Sequence, residues 1–452
     1  MDAPQERGPT RKRGDPAGGR LTRAERAIVL TVAAVQFVNI LDFMMVMPLG
    51  PDFSRDLGVP LSHLGFIGGS YTAAAAVAGI AGAFFLDRFD RRSALAISLV
   101  GLVLGTLSGA FAQGLTSLVA ARIVAGLFGG PATALSLSII ADAVPPARRG
   151  RAMGTVMSSF SLASVLGVPA GLELARLGGW RFSFVAVAVL AALAAVVARW
   201  WLPPLRGHLN TGRARVSTWS VFGDLLGRRS VVFSLIMGAT LMTSMFSLVP
   251  NIAAYVQGNL GFPRERLGLL YLAGGIVNYL AMRLSGPAVD RVGAFLVGSV
   301  STVLTVGVIY IGFVNVPAGL SAYVIFIGLM TATAFRAVAY NTLSSRVPLS
   351  HERARFMSLA SAVQHAAAAG GAFLSARILV ELDAGVLGGM DRVGWIAMTL
   401  ALAVPPLLWI VQRLVLRREE DEKESAAEPP PPFALATVAV GPALTSTNRA
   451  TS

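Results

Sequence analysis

Apolar residues run through the chain in stretches of about 20 with few charges between them, the length that carries a helix across a hydrocarbon core of roughly 30 Å. These stretches fall near 28–49, 63–85, 94–113, 117–141, 152–174, 181–202, 230–254, 267–287, 294–314, 319–342, 355–379 and 393–414. None shows the strict alternation of a lipid-facing β-strand. The pattern predicts an all-α membrane protein with twelve transmembrane helices. Lys and Arg then assign the sides. The loops that share a side with the termini carry Arg88, Arg91, Arg92, Arg148, Arg149, Arg151, Arg206, Arg213, Arg215, Arg228, Arg229, Arg291, Arg346, Arg353 and Arg355. The alternate loops carry only Arg55, Arg176, Arg181, Arg264, Arg266 and Arg392. By the positive-inside rule the N and C termini are expected in the cytoplasm.

The spans divide the chain into a hydrophilic, disordered N-terminal arm (1–27), a first six-helix half (28–202), a cytoplasmic linker (203–229), a second six-helix half (230–416) and a disordered tail (417–452) with an acidic run and four consecutive prolines. In the linker, Trp219, Val221, Phe222, Leu225 and Leu226 either line a short interfacial helix or belong to a simple tether. The two halves repeat. Asp87-Arg88 returns as Asp290-Arg291, Pro48 returns as Pro250, and "VPPARRGRAM" at 144–153 is echoed by "VPLSHERARFM" at 347–357. Parallel six-helix repeats place a substrate site near mid-membrane, at the interface between them.

Composition narrows the function. The 452 residues are 54% hydrophobic and 14% charged, against roughly 25% charged in soluble domains. The chain has no cysteine, which excludes disulfides, thiolate catalysis and Cys-type metal sites. Its net charge is +14, with the Arg residues mainly in short loops between spans, a signature of topology and not of nucleic-acid binding. No apolar stretch with a small-residue cleavage site precedes the first span, so that span is expected to serve as its own insertion signal. His63, His208, His351 and His365 are scattered, which argues against a membrane-embedded enzyme. No Gly-x-x-x-x-Gly-Lys loop is present, so ATP is not the expected energy source.

Between the second and third spans stands "AFFLDRFDRR" (83–92), with Asp87, Arg88, Arg91 and Arg92; between the eighth and ninth stands "GPAVDRVG" (286–293), with Gly286, Asp290, Arg291 and Gly293. Such charges at the meeting point of two helices can bias which of two bundle arrangements is preferred. The loops resemble the Gly-x-x-x-Asp-Arg-x-Gly-Arg-Arg signature of the major facilitator superfamily, with Ala83 and Asp90 at the two glycine positions of the first copy. In the fourth span, "RIVAGLFGGPATA", Arg122, Gly126 and Gly130 share a face. The fifth, "SLASVLGVPAGLELA", combines Gly167, Pro169 and Gly171 into a bent, close-packed seam. Drug and proton antiporters of the superfamily carry an Arg followed by glycines in the fourth helix and a Gly-Pro element in the fifth, and "GWRFSF" (179–184) is similar to the arabinose-efflux-like and drug-efflux branches.

In the first span Gln36, Asn39 and Asp42 form a polar stripe within about 120° of arc. An intramembrane carboxylate is expensive and points to a function and a partner, here Arg122 at a similar depth. Two roles are open to the pair. Separating or wetting it would change how tightly Asp42 holds a proton, the minimum a proton-coupled carrier requires; alternatively it is a fixed structural pair. "LDFMMVMP" around Asp42 looks like the first-helix signature of antiporters in this superfamily, while Ser244 stands at the repeat position. Within the spans of the second half stand the polar residues Asn251, Asn278, Arg283, Arg336, Asn341, Gln364 and His365. Arg283 is expected to snorkel or pair structurally, Arg336 is a candidate contact for an anionic substrate, and His365 either titrates or only hydrogen-bonds a neighbouring helix. Asn251, Asn341 and Gln364, with Gln36 and Asn39, are candidate cavity residues.

The expected function is secondary active transport by alternating access: proton-coupled efflux of a small organic compound such as a drug or sugar, with no cofactor beyond the proton gradient, by a monomer in a bacterial inner membrane. A facilitator or proton-coupled importer of a metabolite is the alternative.

Overall fold

The computed structural model describes residues 21–205, 223–349 and 352–427. Its order is α1 (Arg23–Met45), α2 (Gly50–Leu57), α3 (Leu64–Phe85), α4 (Arg91–Ala110), α5 (Leu115–Ala143), α6 (Pro146–Leu162), α7 (Val168–Gly178) and α8 (Trp180–Trp201), then α9 (Arg229–Leu248), α10 (Ile252–Gly258), α11 (Leu267–Val292), α12 (Ala294–Ile309), α13 (Ala322–Ser344), α14 (Arg353–Ile378), α15 (Met390–Leu402) and α16 (Val404–Ala427). The one strand pair described, Val380–Glu381 against Leu387–Gly388, closes the loop after α14. Among the described residues, eleven helical spans are long and apolar enough to cross a membrane. The remaining expected span, 355–379, coincides with α14, which has the length but not the hydropathy, because Gln364, His365 and scattered Ser and Gly residues dilute its apolar ones.

The helix boundaries follow local chemistry. Thr22 and Glu25 form a reciprocal capping box, Glu25 N–H donating to Thr22 Oγ1 at 3.2 Å and Thr22 N–H to Glu25 Oε2 at 2.9 Å, so α1 starts at Arg23 and the expected arm ends earlier than residue 27. Between α6 and α7 the chain makes a π-helical turn, Ala163–Gly167, with Pro169 in the first turn of α7. A π-turn and a proline therefore meet at the place where the bend is expected, the widened turn accommodating a residue that has no N–H to donate. The repeat segment, α14, runs unbroken through Phe373.

One expectation is corrected. The tail does not become irregular at Arg417: α16 continues to Ala427. Arg418 donates to the carbonyls of Val347 (2.7 Å) and Arg346 (2.9 Å), Arg346 pairs with Glu419 at 2.6 Å, and Arg418 pairs with Glu422 one turn on. Glu, Arg and Lys are good helix formers, and these contacts tie the segment to the loop before α14. The last span also starts earlier, at Met390, and is interrupted at Ala403, just before Pro405-Pro406. Residues 1–20, 428–452 and 206–222, which include Trp219, Val221 and Phe222, lie outside the described residues. Of the expected linker face, Leu225 is buried and Leu226 half exposed.

The halves meet along α3 against α14 and α7 against α11. Glycines set the approach: a Cβ on Gly65 or Gly69 would collide with Ala372 or Phe373, and one on Gly275 with the backbone of Ser164 and Val165. Gly65→Val is expected to lower the melting temperature by an amount equivalent to about 1–3 kcal/mol of overpacking. Gly79→Val on the same helix, where nothing lies within 4 Å of an added Cβ, is expected to stay within about 0.5 kcal/mol. Equal losses in thermal melts of the two purified variants would remove the seam as the cause.

Candidate functional site

The polar stripe of α1 faces inward, and the structure brings Asp42 and Arg122 together. Asp42 is 0% and Arg122 1% exposed. Arg122 Nη1 donates to both carboxylate oxygens, at 3.2 Å to Oδ1 and 3.0 Å to Oδ2, and Nη2 to the Asp42 backbone carbonyl at 3.3 Å. Thr106 of α4 donates to Oδ1 at 2.7 Å, and the guanidinium lies 4.6 Å from the centroid of the Tyr71 ring. Three helices therefore converge on one carboxylate, and the buried positive charge is offset by a carboxylate and an aromatic face.

One turn deeper the network continues. Tyr71 Oη donates to Asn39 Oδ1 at 3.1 Å, and Asn39 Nδ2 donates to Thr133 Oγ1 at 2.7 Å and to the Gly129 carbonyl at 3.0 Å. Gln36, also buried, has an Oε1 without a hydrogen-bond partner, as does Nε of Arg122. Sequence reasoning missed Tyr71, Thr106, Thr133 and Gly129. Gly129 was within reach: seven residues from Arg122, it points closer to the Arg122 direction than Gly130 does. Gly126 and Gly130 have a different use, since a Cβ on either would strike the backbone carbonyl of Tyr71 or Ala75 on α3. Gly167 is tight against Leu41, whereas an added Cβ on Gly171 meets only Met45 at an ordinary 3.7 Å, so close packing does not require that glycine.

The two charged loops differ. After α3, a 3-10 turn (Leu86–Arg88) leads to Asp90, which caps α4 by accepting from Arg92 N–H and also accepts from Leu205 N–H at 2.9 Å. Arg91 pairs with Asp142 of α5 at 3.2 Å, and Arg92 donates to the Leu202 carbonyl at the end of α8. Arg88 is exposed, and the side chain of Asp87 lies outside the described residues. In the second copy Gly293, at φ 89°, links α11 directly to α12, a conformation that Asp90 at φ −56° does not share. Asp290 and Arg291 are exposed, and Gly286 has open space around it.

In the second half, Asn251 Nδ2 donates to Ser375 Oγ at 3.0 Å and Gln364 Nε2 to Tyr340 Oη at 3.1 Å, so both tie α14 to its neighbours. Asn341 is exposed and His365 partly buried. Arg283 donates to Tyr279 Oη on its own helix, in keeping with a structural side chain. Arg336 is 2% exposed on α13.

Opposite the charged loops, a second set of contacts joins the halves. Asp52 of α2, 4% exposed, accepts from Arg264 Nε at 3.1 Å and Nη2 at 2.6 Å, and from Arg55 at 3.1 Å. Glu381 accepts from Leu61 N–H at 2.7 Å. Of the ion pairs described at the other end, Arg91–Asp142, Arg148–Glu25, Arg228–Glu352 and Arg346–Glu419, none joins the first half to the second.

Comparison with known proteins agrees with this architecture. The family model of the Major Facilitator Superfamily matches residues 32–372. A purine ribonucleoside efflux pump of Shigella sonnei (strain Ss046) is 30% identical over 275 residues, 60% of this chain and 67% of that protein. A chloramphenicol resistance protein of Streptomyces lividans is 28% identical over 292 residues, 62% and 71% of the two chains. Among solved structures, a D-xylose–proton symporter superposes with a TM-score of 0.70 at 18% identity, covering 85% of this chain and 97% of that one. A bacterial homologue of the human lysosomal transporter Spinster, inward-facing and unoccupied, gives 0.69 at 15% identity, covering 88% and 99%.

Proposed function

The chain belongs to the major facilitator superfamily and is a multi-pass membrane transporter, not an enzyme; from that premise we propose that it exports a small organic compound in exchange for protons. The direction is supported by the relatives, a purine ribonucleoside efflux pump and a chloramphenicol resistance protein. A nucleoside-like, drug-like or sugar-like substrate is in keeping with them. In this reading the protein is a monomer of twelve membrane helices, α14 included, with both termini cytoplasmic, in a bacterial inner membrane. The two halves rock about a midplane cavity.

The observation that carries the reading is the buried Asp42–Arg122–Thr106 cluster of the first half. In this arrangement the Asp42 carboxylate is held by both a guanidinium and a hydroxyl. Rearranging α1, α4 and α5 during the transport cycle breaks those contacts and leaves Asp42 to take up a proton. The second half has Ser244 at the repeat position, its hydroxyl bound to the Ala397 carbonyl, so the coupling charge belongs to the first half.

The test is export of a panel of nucleosides, antimicrobials, dyes and sugars from cells, with and without a protonophore, normalised to folded transporter. Wild-type export is expected to fall at least about tenfold with the protonophore, since a potential of 100 mV alone is worth about 2.3 kcal/mol per charge. Asp42→Asn is expected to equilibrate substrate without concentrating it. Protonophore-insensitive export by both proteins would make the pair structural and the protein a facilitator.

A further inference from the structure

Each half holds one deeply buried arginine, Arg122 in the first and Arg336 in the second; they do not occupy matching repeat positions, since Ile325 stands 203 residues after Arg122, and only one of them is neutralised. Arg122 has Asp42. Arg336 has no carboxylate within 4.0 Å among the described residues, and its Nη1 is buried without a hydrogen-bond partner. A guanidinium in that position carries an uncompensated buried charge, which is unfavourable unless an anion arrives.

Beside it lies a cavity of about 20 Å³, lined by Ser244, Met245, Thr305, Met330, Thr333 and Arg336 among others, with room for about one group the size of a water molecule. Its position is informative. Ser244, Thr305 and Ile309, also on the lining, are the counterparts, 202 or 203 residues on, of Asp42, Leu102 and Thr106. The void occupies the place where the first half puts its carboxylate. The hydroxyls there do not serve Arg336: Ser244 donates to Ala397, Thr305 to Ser301 and Thr333 to Leu329, all backbone carbonyls.

We propose that Arg336 and this cavity bind a small monovalent anion, either a free halide or the carboxylate-type group of a transported compound, which takes the part in the second half that Asp42 plays in the first. The site goes beyond the efflux reading and does not depend on the direction or coupling of transport. The anion supplies the missing counter-charge; Ser244 leaves the room for it.

The experiment is a thermal melt of the purified full-length protein in detergent, with chloride replacing sulfate at constant ionic strength, and separately with acetate and benzoate. For the wild type a saturable rise in Tm of about 2–4 °C is expected. Arg336→Gln is expected to lose the response. Ser244→Asp, which builds a carboxylate into the void, is expected to raise the baseline Tm and abolish the response, and it keeps the test decisive if Arg336→Gln does not fold. A response to chloride assigns a free halide; a response to the carboxylates alone assigns the substrate's own group. A wild type indifferent to all of these anions, or a response that survives in Ser244→Asp, overturns the proposal. The melts read binding alone, so a failed export assay leaves them interpretable.

Discussion

Arg122→Gln is expected to destabilise the folded protein by about 3–5 kcal/mol, because it strands a buried carboxylate whose remaining side-chain partner is the Thr106 hydroxyl. Asp42→Asn has the converse defect, a buried guanidinium left with an aromatic face and amide contacts. The double variant, Asp42→Asn with Arg122→Gln, removes both charges and keeps similar volume and hydrogen-bonding groups. It is expected to recover most of the stability lost by either single change, since two neutral amides in a polar pocket need no counter-ion. A double-mutant cycle on melting or denaturant midpoints of the purified proteins measures the coupling. Additive losses would mean that the two side chains do not neutralise one another, and would remove the basis for treating them as a coupled site. The comparison with Arg336 sharpens the expectation. That residue already stands in the condition into which Asp42→Asn would put Arg122, which is why an exogenous anion is expected to matter there and not in the first half.

How far this was legible in the chain depends on the cost of each feature in lipid. Membrane spans are long and apolar because the bilayer demands it, so eleven of them were readable as composition, and the span at α14 by length. Asp42 and Arg122 were readable as a pair because each alone is expensive. Thr106 and Thr133 carry no such cost, because a Thr hydroxyl in a membrane helix can return a bond to its own backbone, and Tyr71 reads as an ordinary aromatic residue, so nothing in the sequence separates these residues from their neighbours. Asp52 and Arg264 were hidden for the opposite reason. In short loops charges are cheap, and Arg264 read only as a mark of sidedness. The acidic stretch after Arg417 has the composition of a solvated tail, yet the same residues are strong helix formers. What composition did not contain was the anchoring of Arg418 and Glu419 on the loop before α14.

Arg264→Ala is expected to shift the two halves toward the arrangement in which the Asp52 end is open, by about tenfold in equilibrium. The bidentate contact of Arg264 with Asp52 joins one half to the other. A charge-assisted hydrogen bond contributes about 1.5–3 kcal/mol, and each 1.4 kcal/mol is about a factor of ten. The side chain of Arg264 is 19% exposed and that of Asp52 only 5%, so solvent screens the pair partially and the low end of the range applies. Losing Arg264 does not strand the carboxylate, because Arg55 still donates to it from the next helical turn; the loss therefore falls on the closed arrangement and not on the fold of either half. The absence of native cysteine makes the measurement direct. Spin labels on Asp56→Cys and Glu265→Cys, both exposed and on opposite halves, report the separation at that end. The expected result is a longer-distance population that grows in Arg264→Ala with little change in Tm. An unchanged distance distribution would mean that packing of α3 on α14, with its glycine contacts at Gly65 and Gly69, holds this end closed without help from the ion pair.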